Sequence, residues 1–471
     1  MNTFYWHDYE TWGANPAVDR PSQFAGVRTD DQLNIISEPL VIYCRPPEDI
    51  LPHPEACLIT GITPQHALKN GLSEAEFIKR IHAEFIQPGT CGVGYNSLRF
   101  DDEVTRYTLY RNFYDPYERE WRNGNSRWDI IDMMRMVYAL RPEGIEWPMV
   151  EGVPSFKLER LTEANGISHE AAHDAYSDVA ATIALAKLVK MRKPELYNYV
   201  LNNRSKQACT RFIDIKQKKP FLHISSRFPA ARGCCGLVVP LAVHPVNKNA
   251  VIVYELSVSP EPLEELSVEA LRERVFCAKD ELPEGVERLP IKLIHLNKCP
   301  IMLPTKMLSD ELASRFGIDR DACERNWHKI RGMELEYKLR QMYEQERFTE
   351  KQDPEQRLYS GFVGDADKAL MARVRDSGAE ELADASFDFV DDRLNAILPL
   401  YRARNFPQSL DEQGRQSWLE HKGMNLLEGG EGILTIDEYN NTIDRFEANE
   451  TVPERLAILS ELRNYGDALF N

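Results

Sequence analysis

The stretch Trp6-His7-Asp8-Tyr9-Glu10-Thr11-Trp12-Gly13 lies near the N-terminus and carries two carboxylates, Asp8 and Glu10, two positions apart. The residues around it predict a β-strand over positions 4–11. Side chains at positions i and i+2 of a strand point to the same face of the sheet. Two acids on one face predict half of a site for a divalent metal ion, and the remaining ligands have to come from later in the chain.

The composition is that of a large globular protein. With 471 residues, the chain has room for roughly three domains of about 150 residues each. No run of 18 or more apolar residues and no basic N-terminal region is present, so we expect neither a membrane span nor a signal peptide. The nine cysteines are scattered and form no Cys-x-x-Cys motif, which disfavours the common zinc sites and predicts a reducing, cytoplasmic setting.

The net charge of −17 argues, taken alone, against nucleic acid as a partner. The charge is unevenly distributed, however, because residues 204–232 carry eight basic side chains and a single acidic one, Asp214. Salt confines charge effects to about 8–10 Å, so a local basic strip on an acidic protein can still bind phosphates. The alternative interpretation of residues 204–232 is a solvated linker.

Three segments differ in their predicted secondary structure. Up to residue 190, strands alternate with helices, which indicates an α/β fold. Residues 191–220 are polar and basic, which predicts a boundary near 195, and short strands predicted from residue 221 indicate a small α+β or barrel-like domain. From about residue 350 the pattern is helical; Pro399 predicts a kink or break, and Thr451 with Glu454 predicts the start of the last helix. The predicted strands are 4–11, 24–29, 40–43, 92–96, 221–225, 236–243, 250–258 and 291–296, and the main predicted helices are 103–113, 129–140, 156–164 and 173–190.

Two later places offer further ligands for a metal site. Asp101-Asp102 follows a predicted strand, and His173 precedes Asp178 by five residues at the start of a long predicted helix. Mg²⁺ prefers oxygen ligands, and two such ions can activate water and hold the leaving oxygen of a phosphodiester. Each signal also has a structural interpretation. Asp-x-Glu can face solvent, one of Asp101 and Asp102 can serve only as a helix cap, and His173 and Asp178 can lie on a helix surface.

The order and spacing of these residues resemble a known family. Asp8-x-Glu10, Asn96-x-x-x-Phe100-Asp101 and His173-x-x-x-x-Asp178 are similar to the three motifs of the DEDDh exonucleases. Residues 59–63 resemble the stretch that these enzymes place against the 3′-terminal nucleotide. The likeness to bacterial exodeoxyribonucleases I extends over nearly the whole chain, through Tyr114-Asp115-Pro116-Tyr117, 125–129, 138–145, Asn297-Lys298-Cys299-Pro300 and 401–407.

The resemblance implies both a fold and an activity. It implies an α/β fold with a ribonuclease H-like mixed-sheet exonuclease domain (1–194), an SH3-like α+β or β-barrel domain (195–349) and an all-helical C-terminal domain (350–471). The implied reaction is processive hydrolysis of single-stranded DNA from the 3′ end to 5′-mononucleotides, in DNA repair and recombination.

The resemblance also implies roles for individual residues. Asp8, Glu10, Asp101 and Asp178 would hold two Mg²⁺ ions, with Mn²⁺ as an alternative, and His173 would be the general base. The implied substrate contacts are Glu10, Thr60, Arg106, Tyr117, Trp121, Arg135, Lys157, Lys206 and Asn249. A monomer would dock the C-terminal tail of single-stranded DNA-binding protein at Arg141 and Tyr199, although Ser309 stands where the family has a basic lining.

Two other functions remain as alternatives at this point. The same fold could act on RNA ends, which an assay with ribonucleotide and deoxyribonucleotide oligomers would distinguish. A nonenzymatic single-strand binding module is the other alternative. The presence of all four carboxylates and of the histidine speaks against it.

Overall fold

The computed structural model describes residues 2–169, 174–344 and 351–470. The strands are β1 (Thr3–Thr11), β2 (Pro21–Thr29), β3 (Leu40–Tyr43), β4 (Thr90–Gly94), β5 (Ser126–Asp129), β6 (Met149–Val150), β7 (Val153–Pro154), β8 (Phe221–Ile224), β9 (Cys235–Val243), β10 (Ala250–Glu255), β11 (Ile291–His295) and β12 (Ile301–Leu303). The helices are α1 (Pro54–Thr60), α2 (Pro64–Asn70), α3 (Glu74–Phe85), α4 (Asp101–Arg111), α5 (Ile130–Leu140), α6 (Leu158–Ala164), α7 (Ala175–Arg192), α8 (Pro194–Asn203), α9 (Lys206–Thr210), α10 (Glu261–Glu265), α11 (Val268–Phe276), α12 (Asp310–Arg315), α13 (Arg320–Gly332), α14 (Glu336–Glu344), α15 (Asp365–Asp376), α16 (Ala379–Asp384), α17 (Asp392–Asn405), α18 (Glu412–Gly423), α19 (Ile436–Glu447) and α20 (Pro453–Ala468).

The chain folds into two compact units. The first unit contains residues 1–126, 169–183 and 350–471, and the second contains residues 127–168 and 184–349. The C-terminal helices therefore belong to the same compact unit as the N-terminal sheet. The predicted domain limits at 194/195 and 349/350 stay a prediction.

A mixed sheet is the centre of the first unit. Its strands follow the order β3-β2-β1-β4, with β1 antiparallel to β2 and parallel to β4. Trp6 and Phe24 are fully buried in this sheet, and strand β1 ends at an irregularity between Glu10 and Thr11. The ribonuclease H-like mixed-sheet prediction is confirmed, and the sheet holds Asp8 and Glu10 near the end of a buried central strand.

The C-terminal helices of the first unit pack directly against helix α4. Tyr107, Tyr110 and Phe113 form one apolar cluster with Phe389 and Tyr401. The ring centroids of Phe113 and Tyr401 are 5.1 Å apart in an edge-to-face arrangement, which is a favourable geometry for aromatic pairs. This packing attaches the helical C-terminal segment to the helix that follows the second predicted motif.

The second unit contains a five-stranded sheet in the order β11-β10-β9-β8-β12. Every residue of β10 is buried, so this strand is covered on both faces. Helices α8 and α9 lie within the polar and basic residues 191–220. Pro194 starts α8, and Tyr197 and Val200 are buried on it.

The structure contradicts a break of the helix at Pro399 and a start of the last helix at Thr451, while a kink at Pro399 stays a prediction. Helix α17 continues through Pro399, since burial of Leu394 and Ile397 offsets the loss of one backbone hydrogen bond. The last helix starts at Pro453, and the Thr451 side chain does not cap it. Instead, the Glu450 carboxylate accepts the backbone N–H groups of Thr451 and Val452.

Among the residues that the structure describes, no helix is both long and apolar enough to span a bilayer.

Candidate active site

Asp8 and Glu10 lie on the same face of β1, as their spacing predicts. Asp8 is paired in register with Ala25 of β2, and Glu10 is paired with Gln23. Directly opposed residues of antiparallel strands share a face, so Ala25 and Gln23 lie on the same face as the two acids. Both acids therefore project from the same face of the sheet.

Asp178 completes a cluster of three carboxylates. It lies in the first turn of α7, and ligand oxygens of Asp8, Glu10 and Asp178 all lie within 4.8 Å of one another. Asp8 and Asp178 are 170 positions apart in the chain, so the fold alone brings them together. The predicted meeting of the first and third motifs is what the structure shows.

Asp101 and Asp102 have different partners, although both lie in the first turn of α4. The Oδ1 atom of Asp101 accepts the backbone N–H of Tyr9 at 3.0 Å, which places this carboxyl beside β1 and the carboxylate cluster. The Oδ1 atom of Asp102 instead pairs with the guanidinium of Arg119 at 2.6 Å, and both side chains are buried. Phe100, not either acid, is the N-cap residue of α4. Asp102 is thus a buried ion-pair partner, and Asp101 is the acid next to the cluster.

The environment opposes ionisation of the clustered carboxyls. Burial, followed by the negative charges of Asp178, Asp101 and Asp174, raises the pKa of Glu10 to about 9. Burial and the nearby Asp101, Glu10 and Asp178 also raise the pKa of Asp8 well above its usual range. Like charges at close range disfavour the charged form. Such a cluster is compensated either by protons or by a cation.

The donor set fits a divalent cation. The cluster presents carboxylate oxygens alone, which are the ligands that hard cations such as Mg²⁺ and Mn²⁺ prefer. The crowding that raises the pKa of Glu10 is also the charge that a divalent ion would neutralise. Asp8, Glu10 and Asp178 are therefore the residues that would hold such an ion, with Asp101 adjacent.

A histidine that sequence reasoning missed lies against Asp178. The Nε2 atom of His169 contacts Asp178 Oδ1, and the His169 side chain is 6% exposed. The only sequence signal was its position four residues before His173. His173, the predicted general base, lies outside the described residues.

The predicted substrate contacts of the first unit have different surroundings. Trp121 is 64% exposed, whereas Tyr117 and Thr60 are half-buried. The Arg106 guanidinium is 4% exposed and bonds to Glu120 at 2.7 and 2.9 Å and to Glu103 at 2.8 Å. It also lies over the ring of Tyr117, 5.4 Å from the centroid. Arg106 thus packs against the ring of Tyr117.

The predicted contacts of the second unit fall into two groups. Lys157 is exposed at the start of α6. Lys206 donates to the side-chain oxygen of Asn249 at 2.6 Å, so these two predicted contacts adjoin each other. Arg135 is buried, pairs with Asp132 and lies 5.8 Å from the centroid of Phe156.

The two predicted partner contacts also lie in the second unit. Arg141 is exposed and donates to the carbonyl of Leu140 at 2.6 Å. The Tyr199 hydroxyl donates to the carbonyl of Met302 at 2.7 Å, and Ser309 caps helix α12.

Comparisons with known proteins cover the chain from end to end. Family models for an exonuclease, for the exonuclease I SH3-like domain and for the exonuclease I C-terminal domain match residues 5–186, 204–345 and 352–469. Exodeoxyribonuclease I of Escherichia coli (strain K12) is 46% identical over 100% of this chain and 98% of its own length. The chain belongs to the exodeoxyribonuclease I family. It is accordingly an enzyme, an exonuclease that hydrolyses phosphodiester bonds.

Solved structures of the exodeoxyribonuclease I family have the same fold. Exonuclease I from Methylocaldum szegediense matches with a TM-score of 0.96 at 49% identity, and each chain is covered completely. A zinc-bound E. coli exonuclease I complex with single-stranded DNA matches with a TM-score of 0.95 at 46% identity, again with complete coverage. These matches confirm the three-part fold class predicted from the sequence.

Phe362 is an exposed aromatic residue beside Tyr117 that was not predicted from the sequence. Its side chain is 87% exposed, and its ring lies 5.7 Å from that of Tyr117, edge to face. The ring centroid of Tyr359 lies 6.4 Å from that of Tyr117. No periodicity marks Phe362 in the sequence, because it lies in an irregular segment between residues 360 and 365.

The buried pair of Asp102 and Arg119 gives a stability prediction. Replacing Arg119 by Met leaves the Asp102 carboxylate buried without its cation, and we expect the free energy of unfolding to fall by about 3–5 kcal/mol in urea titrations. The matched control is Arg80→Met, which removes an exposed pair with Glu76 and should cost less than about 1 kcal/mol. Equal small losses in both variants would contradict a structural role for Asp102.

Proposed function

We propose that this enzyme hydrolyses single-stranded DNA processively from the 3′ end, releases 5′-mononucleotides, and acts in DNA repair and recombination. The observation that carries the proposal is the convergence of Asp8, Glu10 and Asp178, whose oxygens lie within 4.8 Å of one another. The single-stranded DNA bound by the E. coli relative supports the choice of substrate.

The proposed mechanism assigns two Mg²⁺ ions to Asp8, Glu10, Asp101 and Asp178. When bound, such ions stabilise the negative charge that develops during phosphodiester cleavage and make water more acidic. The protein residues provide the geometry: β1 fixes Asp8 and Glu10, the first turn of α7 fixes Asp178, and the N–H of Tyr9 orients Asp101. His173 would take the proton of the attacking water, as a histidine with an ordinary pKa near 6.5 can do near neutrality.

We propose that exposed aromatic rings hold the strand by stacking. Trp121 and Phe362 are the large aromatic side chains most available to bases beside Tyr117, which in turn rests on Arg106. Base–aromatic stacking contributes about 1–3 kcal/mol per base and tolerates any sequence. On the second unit, Lys206 with Asn249, together with Lys157, would contact phosphates.

Trp121→Ala should weaken binding without changing chemistry. We expect the Kd for a single-stranded oligonucleotide to rise by about 5- to 150-fold, which corresponds to one lost stacking contact, while kcat at saturating DNA stays unchanged. Fluorescence anisotropy in EDTA measures the Kd. Tyr337→Ala removes a comparably exposed ring and is the control. An unchanged Kd in Trp121→Ala would remove Trp121 from the binding surface.

The proposal also includes a partner and a setting. The enzyme would act as a cytoplasmic monomer and dock the C-terminal tail of single-stranded DNA-binding protein at Arg141 and Tyr199. The exposed guanidinium of Arg141 suits an acidic peptide.

One assay tests the proposed reaction. Single-stranded and double-stranded DNA and a single-stranded RNA, each labelled at the 5′ end, are incubated with Mg²⁺, with Mn²⁺ or with EDTA. We expect shortening from the 3′ end on single-stranded DNA alone, uncut substrate coexisting with the shortest labelled products and few intermediates, and no reaction in EDTA. Cleavage of RNA at a similar rate, internal cleavage, or hydrolysis in EDTA would contradict the proposal.

A further inference from the structure

Gln23 is a buried side chain that uses both ends of its amide. It lies on β2 and is 1% exposed. Its Nε2 donates to Asp174 Oδ2 at 3.2 Å, and its Oε1 accepts the backbone N–H of Ala175 at 3.2 Å. The two partners are more than 150 positions away in sequence, and both lie at the start of α7. One amide therefore joins the sheet to the beginning of this helix.

Asp174 connects Gln23 to the helical turn that carries Asp178. Its second oxygen, Oδ1, accepts the backbone N–H of Ser177 at 3.1 Å and so caps the first turn of α7. Its backbone carbonyl accepts the N–H of Asp178 at 3.1 Å. Both carboxylate oxygens of Asp174 are thus engaged in holding the helix start.

The Gln23 end of this hydrogen-bonded connection lies beside Glu10. Gln23 and Glu10 are register partners on antiparallel strands, so their side chains emerge on the same face. The Gln23 amide therefore spans from the strand that neighbours Asp8 and Glu10 to the turn that carries Asp178. Reactions that depend on placed groups lose about 100-fold for a displacement of 1 Å, so the length of this connection matters.

We propose that Gln23 and Asp174 form a positioning pair that sets the distance from Asp8 and Glu10 to Asp178, and so fixes the geometry of the cation site. The inference rests on the proposed function, because it takes these three acids as the ligands. Neither Gln23 nor Asp174 belongs to the residues assigned to hold the ion or to move a proton. Asp174 also directly follows His173 in the sequence, so the same pair anchors the residue next to the proposed base.

A reciprocal exchange tests the pair. Gln23→Glu keeps the acceptor for Ala175 but sets a carboxylate against Asp174, whereas Asp174→Asn keeps the cap on Ser177 but presents an amide to Gln23. Each single variant loses a donor–acceptor match, and the double variant restores it with donor and acceptor reversed. We expect each single variant to lower kcat by about 10- to 100-fold, which is typical of groups that orient metal ligands, with KM for the oligonucleotide changed little. The double variant should recover most of the wild-type kcat.

Thr29→Val is the matched control. Thr29 lies on the same strand, is fully buried and accepts a hydrogen bond from Trp6 Nε1 at 2.8 Å. The substitution removes one buried hydrogen bond from β2 far from α7 and preserves side-chain shape. We expect it to lower stability and to leave kcat unchanged.

Hydrogen exchange provides a measurement that does not depend on activity. In metal-free protein, the amides at the start of α7 should exchange faster in both single variants than in the wild type, and the double variant should restore protection. Thr29→Val should leave exchange in α7 unchanged. This readout reports the connection itself, so it remains decisive even if the wild type fails to hydrolyse DNA, a failure that would concern the proposed function instead.

Three outcomes would overturn the positioning pair. The first is single variants with wild-type kcat and wild-type protection of α7. The second is a double variant no better than the singles. The third is a Thr29→Val variant that loses as much kcat as Gln23→Glu, which would indicate general destabilisation.

Discussion

Asp178→Asn is expected to reduce kcat by at least about 1,000-fold while the Kd for single-stranded DNA stays nearly unchanged. The substitution preserves the size of the side chain and removes one of the three acids whose oxygens lie within 4.8 Å. Charge stabilisation by a bound cation is worth several kcal/mol in the transition state, and each 1.4 kcal/mol is a factor of ten in rate. Single-turnover kinetics in Mg²⁺ and anisotropy in EDTA measure the two quantities separately.

The control for Asp178→Asn is Asp365→Asn. Asp365 belongs to the same compact unit, and its side chain is 99% exposed, so the same chemical change there should alter neither kcat nor Kd. A loss of DNA binding together with activity in Asp178→Asn would indicate that Asp178 supports the fold rather than the reaction. Thermal unfolding of both variants distinguishes these cases.

Local patterns predicted the elements that hold the acids. The spacing of Asp8 and Glu10 correctly predicted one shared strand face, because side-chain alternation depends only on backbone geometry. Strand β3 was predicted with its observed limits. Such signals reside within a few neighbouring residues, which is why one sequence suffices to read them.

Contacts between segments that are distant in the sequence could not be predicted from local patterns. Nothing near Gln23 in the sequence marks its bonds to Asp174 and Ala175, since the match depends on the fold. The assignment of Asp102 to Arg119 likewise needed coordinates, because both acids of the Asp101-Asp102 pair occupy the same helix turn.

The packing of α4 against the C-terminal helices was missed for a related reason. Helical periodicity marks an apolar face without naming the surface that covers it, so Phe113 and Tyr401 could not be paired from sequence. The family resemblance implied that Arg106 contacts DNA. In the structure, the carboxylates of Glu103 and Glu120 neutralise Arg106, so its acidic neighbours in the sequence matter as much as its own charge.

Removal of metal is expected to make stability fall as pH rises, through Glu10. Burial and the neighbouring acids raise the pKa of Glu10 from 4.5 to about 9 in the folded protein. Between these pH values, the folded protein holds a proton that the unfolded chain has released. Unfolding then releases a proton, so raising the pH favours unfolding by about 1.4 kcal/mol per pH unit for this one group. The stability that the protonated carboxyl contributes is complete below pH 4.5 and is lost by about pH 9.

The comparison of wild type with Glu10→Gln isolates this effect, because the amide cannot ionise. In EDTA, we expect the two proteins to have similar pH dependence below pH 4.5 and the variant to become progressively more stable than the wild type toward pH 9. Urea titrations at several pH values measure the difference, and parallel curves across this range would show that Glu10 is ionised without metal.

Mg²⁺ should reverse the order of stability. A cation that binds the carboxylates displaces the proton from Glu10, and this proton alone should raise the apparent affinity for the wild type about tenfold per pH unit below about pH 9. Binding to the folded state then stabilises the wild type most at high pH, where the metal-free protein is weakest. The same crowding of acids that destabilises the metal-free enzyme is therefore the source of its affinity for the ion, and Glu10→Gln should lose both together.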